Sequence, residues 1–317
     1  MLAADSAIWP TPTEGTFASF NFKFADGGSL PELRLHYRTL GTLKKNEKGH
    51  ATNAVLIMHG TGGSGAQFLT ENFTGELFLP GHLLDITNYY IILPDAIGHG
   101  KSSKPSDGLH AKFPRYGYSD MVLADYNLLT KELEVDHLRL VMGTSMGGMH
   151  TWVWGETYPD FMDALMPLAS GEYGTKQPRG LATALYVLTF MSSIPLQWQK
   201  EAPDRESADA FLDKRMATGL SGSDANDLLY QVDASYDYNP QAKLGQTKAP
   251  LMAVNSADDQ VNPPELGILE SEVKHVPHGR AVVLPISDTT KGHGTHSWAV
   301  EWKNYLENLL QESEYLC

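Results

Sequence analysis

Short apolar runs alternate with amphipathic segments along most of the chain. The runs are continuous rather than interrupted by polar residues, which is typical of strands buried on both faces of a parallel sheet. They are Ala54–Met58, Tyr89–Leu93, Leu138–Met142, Ala164–Leu168, Leu251–Val254 and Ala281–Leu284. Helical periodicity lies between several of them, at Met121–Leu133, Met146–Tyr158 and Trp298–Leu310. This alternation predicts a doubly wound, mostly parallel α/β sheet.

Two further segments extend this prediction. Phe17–Phe24 and Leu33–Tyr37 flank the turn Asp26-Gly27-Gly28 and predict an antiparallel N-terminal hairpin. Residues 171–246 contain helical patterns, including Leu181–Met191 and Ala208–Met216, but no convincing strand. Such a segment is too long for an ordinary loop. We therefore expect an α/β core from residues 1–170 and 247–317, with residues 171–246 inserted as a helical cap.

Composition narrows the possible partners. The 317 residues include 42% hydrophobic and 20% charged residues, enough for a large core, and the formal net charge is -14. That charge disfavours nucleic acid and anionic membranes, so we expect a small-molecule partner and allow for a homodimer. The single cysteine, Cys317, precludes an intramolecular disulfide. No signal peptide is evident, which favours a cytoplasmic location, although a leader already removed would leave no trace.

A candidate nucleophile stands where an apolar run ends. Gly143-Thr144-Ser145-Met146-Gly147 matches G-x-S-x-G, with a predicted strand before it and a helix after it. Small residues two positions either side allow a sharp strand-to-helix turn. We therefore interpret Ser145 as a nucleophile. A glycine-serine turn of purely structural role is the alternative.

A nucleophilic serine needs a base and an acid that orients the base. In this strand–turn–helix context the acid follows a late strand, and Asp258 and Asp259 both do so. His293 and His296 precede the last helix, and His293 is favoured as the base because it follows a glycine on the loop. His275 and His278 are interpreted as surface or packing residues.

Backbone amides are needed to stabilise a developing oxyanion. The predicted donors are the amides of Met146 and of Thr61, which lies in the glycine-rich loop after the first core strand. His59 is expected to shape that loop. A phosphate cradle is the rival interpretation, but the P-loop lysine is missing. The 12 histidines form no H-E-x-x-H pattern, so neither a metal nor another cofactor is predicted.

These motifs resemble the α/β-hydrolase superfamily and, within it, the homoserine O-acetyltransferase group. The resemblance covers most of the chain and implies the α/β-hydrolase fold. It favours Asp259 over Asp258 as the acid and His293 as the base. The segments that carry it are Leu33–Thr42, Leu77–Pro94, Phe113-Pro114, Ser119–Val122, Gly143–Met149, Tyr158–Asp160, Tyr230–Tyr236, Asp259–Val261 and Gly292-His293.

Three departures from that group bear on the substrate. Asp95–Ser103 stands where the transferases carry a G-S-T-G-P-type segment, and it looks like esterases of the superfamily. Gln231-Val232 replaces an arginine that holds the amino-acid substrate, and Gly294 replaces an acid that follows the histidine. A zwitterionic acceptor needs its charges paired, so homoserine is a poor candidate.

The leading hypothesis is a serine hydrolase acting on a small-molecule ester or thioester through an acyl-serine. The alternative is an O-acyltransferase that moves an acyl group from a thioester such as acetyl-CoA to another alcohol, and the third is a non-catalytic binding protein. An ordered serine, acid and histidine disfavour the third. Candidate pocket residues are His59, His296, Tyr186, Met191, Trp198 and Tyr230.

Overall fold

A computed structural model describes residues 11–170 and 181–314. Their centre is an eight-stranded sheet of order β1-β2-β4-β3-β5-β6-β7-β8. The strands are β1 (Thr13–Lys23), β2 (Ser29–Leu40), β3 (Ala54–Met58), β4 (Tyr90–Pro94), β5 (Leu140–Thr144), β6 (Leu165–Leu168), β7 (Leu251–Ser256) and β8 (Gly279–Leu284). All six predicted core runs are strands at or near their predicted bounds.

The sheet is antiparallel at its N-terminal edge and parallel elsewhere. β1 and β2 pair antiparallel, β2 joins β4 antiparallel, and β3 to β8 are all parallel to one another. Every residue of β3, β5, β6 and β7 is buried, which explains why these strands are continuously apolar. The predicted fold class, a mostly parallel sheet with an antiparallel N-terminal hairpin, is confirmed.

Helices cover both faces of the sheet. They are α1 (Thr74–Leu77), α2 (Tyr118–Asn127), α3 (Met146–Thr157), α4 (Leu181–Met191), α5 (Pro195–Glu201), α6 (Arg205–Gly222), α7 (Ala225–Asp233), α8 (Ile268–Glu272) and α9 (Lys303–Glu314). One face packs around Trp154, and the other packs around Phe73 and Trp302. None of the helices in residues 11–170 and 181–314 is long and apolar enough to cross a bilayer.

Several elements differ in extent from their predictions, among them β2 and the last helix. β2 runs on to Leu40 because its second half pairs with β4 as well as with the hairpin partner. The last helix begins at Lys303 rather than Trp298, since the preceding turns are attached elsewhere: the Ala299 amide donates to Asn72 O, and the Trp302 indole donates to His296 O. Periodicity alone does not detect such tertiary attachments.

Helices α4 to α7 lie between β6 and β7 in the chain. They are the helices expected for the cap, although residues 171–180 of the predicted segment, like Cys317, lie outside the described residues. α4 and α6 pack together, since a Cβ on Gly219 of α6 would lie 3.0 Å from a methyl of Leu185. The cap boundaries themselves stay a prediction.

Candidate active site

Ser145 lies in the turn between β5 and α3. Its φ of 54° and ψ of -114° are unusual for a residue with a side chain, and such strain is of the order of 1–3 kcal/mol. Two backbone hydrogen bonds hold it there: the Ser145 amide donates to Leu168 O at 2.8 Å, and the Met149 amide donates to Ser145 O at 3.0 Å. The turn lifts the hydroxyl to the carboxyl edge of the sheet, at the start of α3.

The flanking glycines let three backbone segments meet at this turn. A Cβ on Gly143 would lie 2.2 Å from Gly147 O, and a Cβ on Gly147 would lie 2.0 Å from Met58 O. Neither distance is tolerable for a carbon atom. Glycine is therefore required here for close approach of β3, β5 and α3, as the pattern in the sequence indicates.

A continuous hydrogen-bond chain begins at the Ser145 hydroxyl. His293 Nε2 lies 2.9 Å from Ser145 Oγ, and His293 Nδ1 lies 3.0 Å and 3.2 Å from the two carboxylate oxygens of Asp259. An ionised carboxylate only accepts, so Nδ1 carries the proton and Nε2 is left to accept from the serine. Sheet topology explains the meeting, because the three residues follow the carboxyl ends of β5, β7 and β8.

Asp259 is placed and charged to orient a histidine. It is 2% exposed and also accepts from the Val261 and Asn262 amides at 2.8 Å and 3.1 Å. Burial favours the neutral acid, but the hydrogen bond and charge of His293 outweigh it and hold the pKa of Asp259 below its usual value. The neighbouring Asp258 turns away and accepts from the hydroxyls of Ser256 and Thr290.

His296 stands beside His293 without joining the chain. The two rings meet edge to face at 5.2 Å, and His296 Nδ1 lies 2.9 Å from Ser297 Oγ. Burial lowers the pKa of His296 to about 3, so this imidazole is neutral near pH 7. Its position suits a wall of the substrate cavity.

The predicted oxyanion donors face the same cavity. Met146 and Thr61 line it together with Ser145, and a Cβ on Gly60 would lie 3.3 Å from Ser145 Cβ. The Thr61 loop is anchored from behind by Asp95, which accepts from the Gly65 amide at 2.8 Å and from Arg38 at the same distance. Burial opposes ionisation of Asp95, yet the Lys101 and Gly65 amides and Arg38 lower its pKa.

His59 shapes this loop and does not line the cavity. Its Nδ1 lies 2.8 Å from Gly60 O, and its Nε2 accepts from the Ala96 amide at 3.0 Å. Burial lowers the pKa of His59, which is consistent with a neutral ring that donates on one side and accepts on the other. As a pocket residue this prediction is corrected, because both nitrogens are committed to backbone.

The cavity above Ser145 has a volume of about 880 Å³. Its walls are mainly apolar and come both from the sheet side and from the helices of the predicted cap. The apolar residues are Met146, Met149, Ala169, Leu185, Leu188, Met191, Phe211, Val232 and Val261, and the charged residues are Glu201, Lys214 and Arg215. This volume is at the upper end of ordinary small-molecule sites.

The predicted pocket residues divide into two groups. Met191 and His296 line the cavity, whereas Tyr186, Trp198 and Tyr230 do not. Tyr186 is 40% exposed on the outer side of α4, and the Trp198 ring packs on Phe211 at 5.2 Å. The Tyr230 hydroxyl donates to Phe113 O at 2.7 Å, which turns the side chain toward the core.

Several residues that line the cavity could not be identified from the sequence. Leu185, Phe211 and Val232 are ordinary apolar residues of amphipathic cap helices, and only the docking of the cap selects them. Gln67 supports the turn itself, because its amide donates to Thr144 Oγ1 at 3.0 Å. Within residues 11–170 and 181–314, no group of three histidine, cysteine or carboxylate side chains could hold a metal ion.

Comparison with known proteins finds similarity to α/β-hydrolases. A family model described as alpha/beta hydrolase fold matches residues 53–199. An acetylester hydrolase from Corynebacterium glutamicum superposes with a TM-score of 0.79 over 94% of this chain and 96% of that one, at 22% identity. The protein has the α/β-hydrolase fold, and its relatives support an enzyme of that superfamily.

Two relatives of this α/β-hydrolase are named as acyl-transferring enzymes. A "Probable acyltransferase" from Methanothermobacter thermautotrophicus is 26% identical over 270 residues, covering 77% of this chain and 82% of that protein. The homoserine O-acetyltransferase of Chlorobaculum parvum is 35% identical over 163 residues, covering 48% of this chain and 43% of that enzyme. The aligned part thus spans less than half of the Chlorobaculum enzyme. The predicted resemblance to this group is confirmed.

Proposed function

We propose that this α/β-hydrolase is a serine hydrolase that cleaves a small-molecule carboxylic ester or thioester through an acyl-serine intermediate. The observation that carries the proposal is the chain from Ser145 through His293 to Asp259, which opens into a largely apolar cavity. A cavity of about 880 Å³ accommodates an uncharged acyl group together with its leaving group.

The proposed reaction has two halves. Ser145 Oγ attacks the acyl carbonyl carbon while His293 Nε2 takes the serine proton, and Asp259 stabilises the resulting imidazolium. The Thr61 and Met146 amides stabilise the tetrahedral oxyanion. When the acyl–oxygen or acyl–sulfur bond breaks, His293 returns the proton to the leaving group. Water then attacks the acyl-serine with His293 again as base, releasing the acid and restoring the serine.

Hydrolysis is favoured over transfer to homoserine by the residues at two positions. The Gln231 amide donates to Gly98 O at 2.8 Å, so this side chain binds the core where the transferases carry a substrate-holding arginine. The Gly294 amide donates to Ser192 O at 3.1 Å at the end of α4, and glycine offers no charge there. Neither position supplies a partner for a zwitterion.

The second candidate is an acyltransferase with a different alcohol as acceptor. The names of the two relatives favour it, and the same acyl-serine serves both reactions. Only access of water or acceptor to that intermediate differs. For either reaction we propose a small-molecule substrate and no nucleic-acid partner, given the net charge of -14.

Two experiments test these proposals in turn. A fluorophosphonate probe should label the wild-type protein and fail to label Ser145→Ala, and absence of labelling in folded wild-type protein would exclude both enzyme proposals. Turnover of 4-nitrophenyl acetate, with and without added alcohols, is then followed by analysis of the products. Free acetate formed at the rate of nitrophenol release supports hydrolysis, whereas turnover that begins only with an alcohol supports transfer.

A further inference from the structure

A second chamber lies behind the wall of the Ser145 cavity. Its volume is about 400 Å³, and residues of α2, α3 and the segment after α7 line it. Tyr118 lines this chamber, while its hydroxyl lies 3.1 Å from Met149 Sδ and 2.9 Å from Ser235 Oγ, both in the wall of the Ser145 cavity. The two spaces are therefore neighbours separated by these three side chains.

The chamber is strongly acidic, and we call it the acidic chamber. The carboxylates in its lining are Asp26, Asp120, Glu156, Asp233 and Asp237. Arg115 is the cation in that lining, and its charge is already paired with Asp233 at 2.5 Å. Asp120 is satisfied by the Ala25 and Gly117 amides at 2.8 Å and 2.9 Å.

Glu156 is the exception to this pairing. It projects from α3, is 9% exposed and lines the acidic chamber, yet its buried Oε2 has no hydrogen-bond partner among the described residues. Burial raises the pKa of Glu156 to about 7, and the positive charge of Lys243 offsets this only in part. A buried carboxyl group without a hydrogen-bond donor is unfavourable in its charged form, and a cation bound beside it in the chamber would stabilise that form.

The form of the chamber indicates what kind of cation it accepts. Five carboxylates line it, yet nowhere in the described part of the chain do three acidic or imidazole ligands converge on a metal position. Aromatic rings contribute to the walls, with Tyr118 and Tyr238 at 4.8 Å between ring centres. Tyrosine faces and non-converging carboxylates suit an organic cation, and about 400 Å³ suits a small one.

We infer that the acidic chamber binds a small organic ammonium ion whose N–H is donated to Glu156. Nothing in the proposed ester chemistry requires this site, and the site does not depend on Ser145. It would hold the ammonium group between Glu156 and the tyrosine rings, with Asp237 at the open side.

Isothermal titration of the full chain with 1,4-diaminobutane tests the inference. We expect saturable 1:1 binding, no binding of the neutral analogue 1,4-butanediol, and no competition by calcium chloride. Glu156→Gln should weaken binding about tenfold or more, because it removes a charged hydrogen-bond acceptor. Glu307→Gln makes the same change of charge on the exposed side of α9 and should leave the affinity unchanged.

A second variant keeps the inference testable if Glu156→Gln fails to fold. Asp237→Asn alters an exposed residue of the lining and should weaken diamine binding about two- to fivefold. The inference would be overturned by equal heats for the diamine and the diol, or by displacement of the diamine by calcium. It would also be overturned if both Asp237→Asn and a folded Glu156→Gln bound the diamine with wild-type affinity. Ser145→Ala should lose ester turnover and still bind the diamine. This variant therefore tests diamine binding independently of the proposed hydrolase function.

Discussion

His293 is held at both ring nitrogens, by Ser145 on one side and Asp259 on the other. If it is the base, His293→Ala removes proton transfer in both halves of the reaction, and kcat for 4-nitrophenyl acetate should fall about 10³-fold or more. His296→Ala removes a ring that lines the cavity and packs on His293 without joining the hydrogen-bond chain, so it should alter KM more than kcat. A His293→Ala enzyme with near wild-type kcat would contradict the proposed role.

Asp259 and Asp258 are neighbours with different partners, which makes them a matched pair. Asp259→Asn removes the charge that orients His293, and we expect kcat to fall about 10³- to 10⁴-fold. Asp258→Asn disturbs the hydrogen bonds from Ser256 and Thr290 and should lower Tm while retaining most activity. Steady-state kinetics and thermal unfolding of both variants distinguish the two. Equal kinetic losses would contradict the assignment.

For individual residues, the sequence predicts which groups could react, but it does not predict where every side chain points. G-x-S-x-G predicts Ser145 because only glycine fits the neighbouring close approaches. Spacing alone does not choose between Asp258 and Asp259, since adjacent residues of a turn point apart, and the choice rests on a family resemblance. Size and a place in the cap predict Trp198 and Tyr230 as pocket walls, which is wrong. Their directions depend on Phe211 and the Phe113 carbonyl, which no local pattern encodes.

Among the elements, the contact of α3 with β3 is the tightest constraint on the site. In Gly147→Ala the new methyl group would lie 2.0 Å from Met58 O, so α3 must move away from the sheet. We expect a loss of about 1–3 kcal/mol in the free energy of unfolding, together with a large loss of activity because Ser145 moves with the helix. Urea unfolding and ester kinetics measure the two effects.

Gly222→Ala is the matched control for that substitution. Gly222 ends α6, and a Cβ there would meet nothing within 4 Å. The free energy of unfolding should stay within about 0.5 kcal/mol of the wild type or rise slightly. Equal destabilisation by both alanines would show that backbone entropy, and not close approach, dominates at Gly147.

Asp125 makes α2 sensitive to pH. Burial raises its pKa to about 8, whereas an aspartate in the unfolded chain titrates near about 3.9. Between these values the folded chain keeps a proton that the unfolded chain has released, so the free energy of unfolding falls as pH rises through this window. Asp125→Asn should therefore raise Tm by several degrees at pH 7.5 and change it little near pH 4, as measured by calorimetry.

Asp85→Asn should show the opposite sign. Hydrogen bonds from the Gly81 amide and from Thr87 lower the pKa of Asp85, so its stabilisation is present above the unfolded pKa and is lost as pH falls through the folded value. The asparagine variant should have a lower Tm near neutral pH and approach the wild type in acid. The same pH trend for both variants would contradict the opposite pKa directions of Asp85 and Asp125.

Across the whole molecule, hydrogen bonds attach the helices of the predicted cap to the rest of the chain at two places. At the first, the Asp227 carboxylate of α7 accepts from the Ser106 amide at 2.7 Å and from the Ser106 hydroxyl at 2.6 Å. At the second, the Gln197 amide of α5 donates to Asp288 O and Thr290 O. Because walls from both parts enclose Ser145, the cap position should set the substrate fit more than the chemistry.

Asp227→Ala tests that role of the cap. It removes both hydrogen bonds to Ser106 and leaves a partly buried amide without its acceptor, which costs about 1–3 kcal/mol. We expect KM for 4-nitrophenyl esters to rise about three- to tenfold with a smaller change in kcat, and limited proteolysis within the cap to become faster.

Asp224→Ala separates docking from helix stability. Asp224 caps the same helix by accepting from the Asn226 amide at 2.8 Å, and its loss should destabilise α7 by about 1 kcal/mol. Since these capping hydrogen bonds lie within α7 and leave the Asp227–Ser106 attachment in place, KM should change less than in Asp227→Ala. If both variants raise KM equally, folding of α7 rather than its attachment to Ser106 controls the fit, and the cap then acts through its own stability.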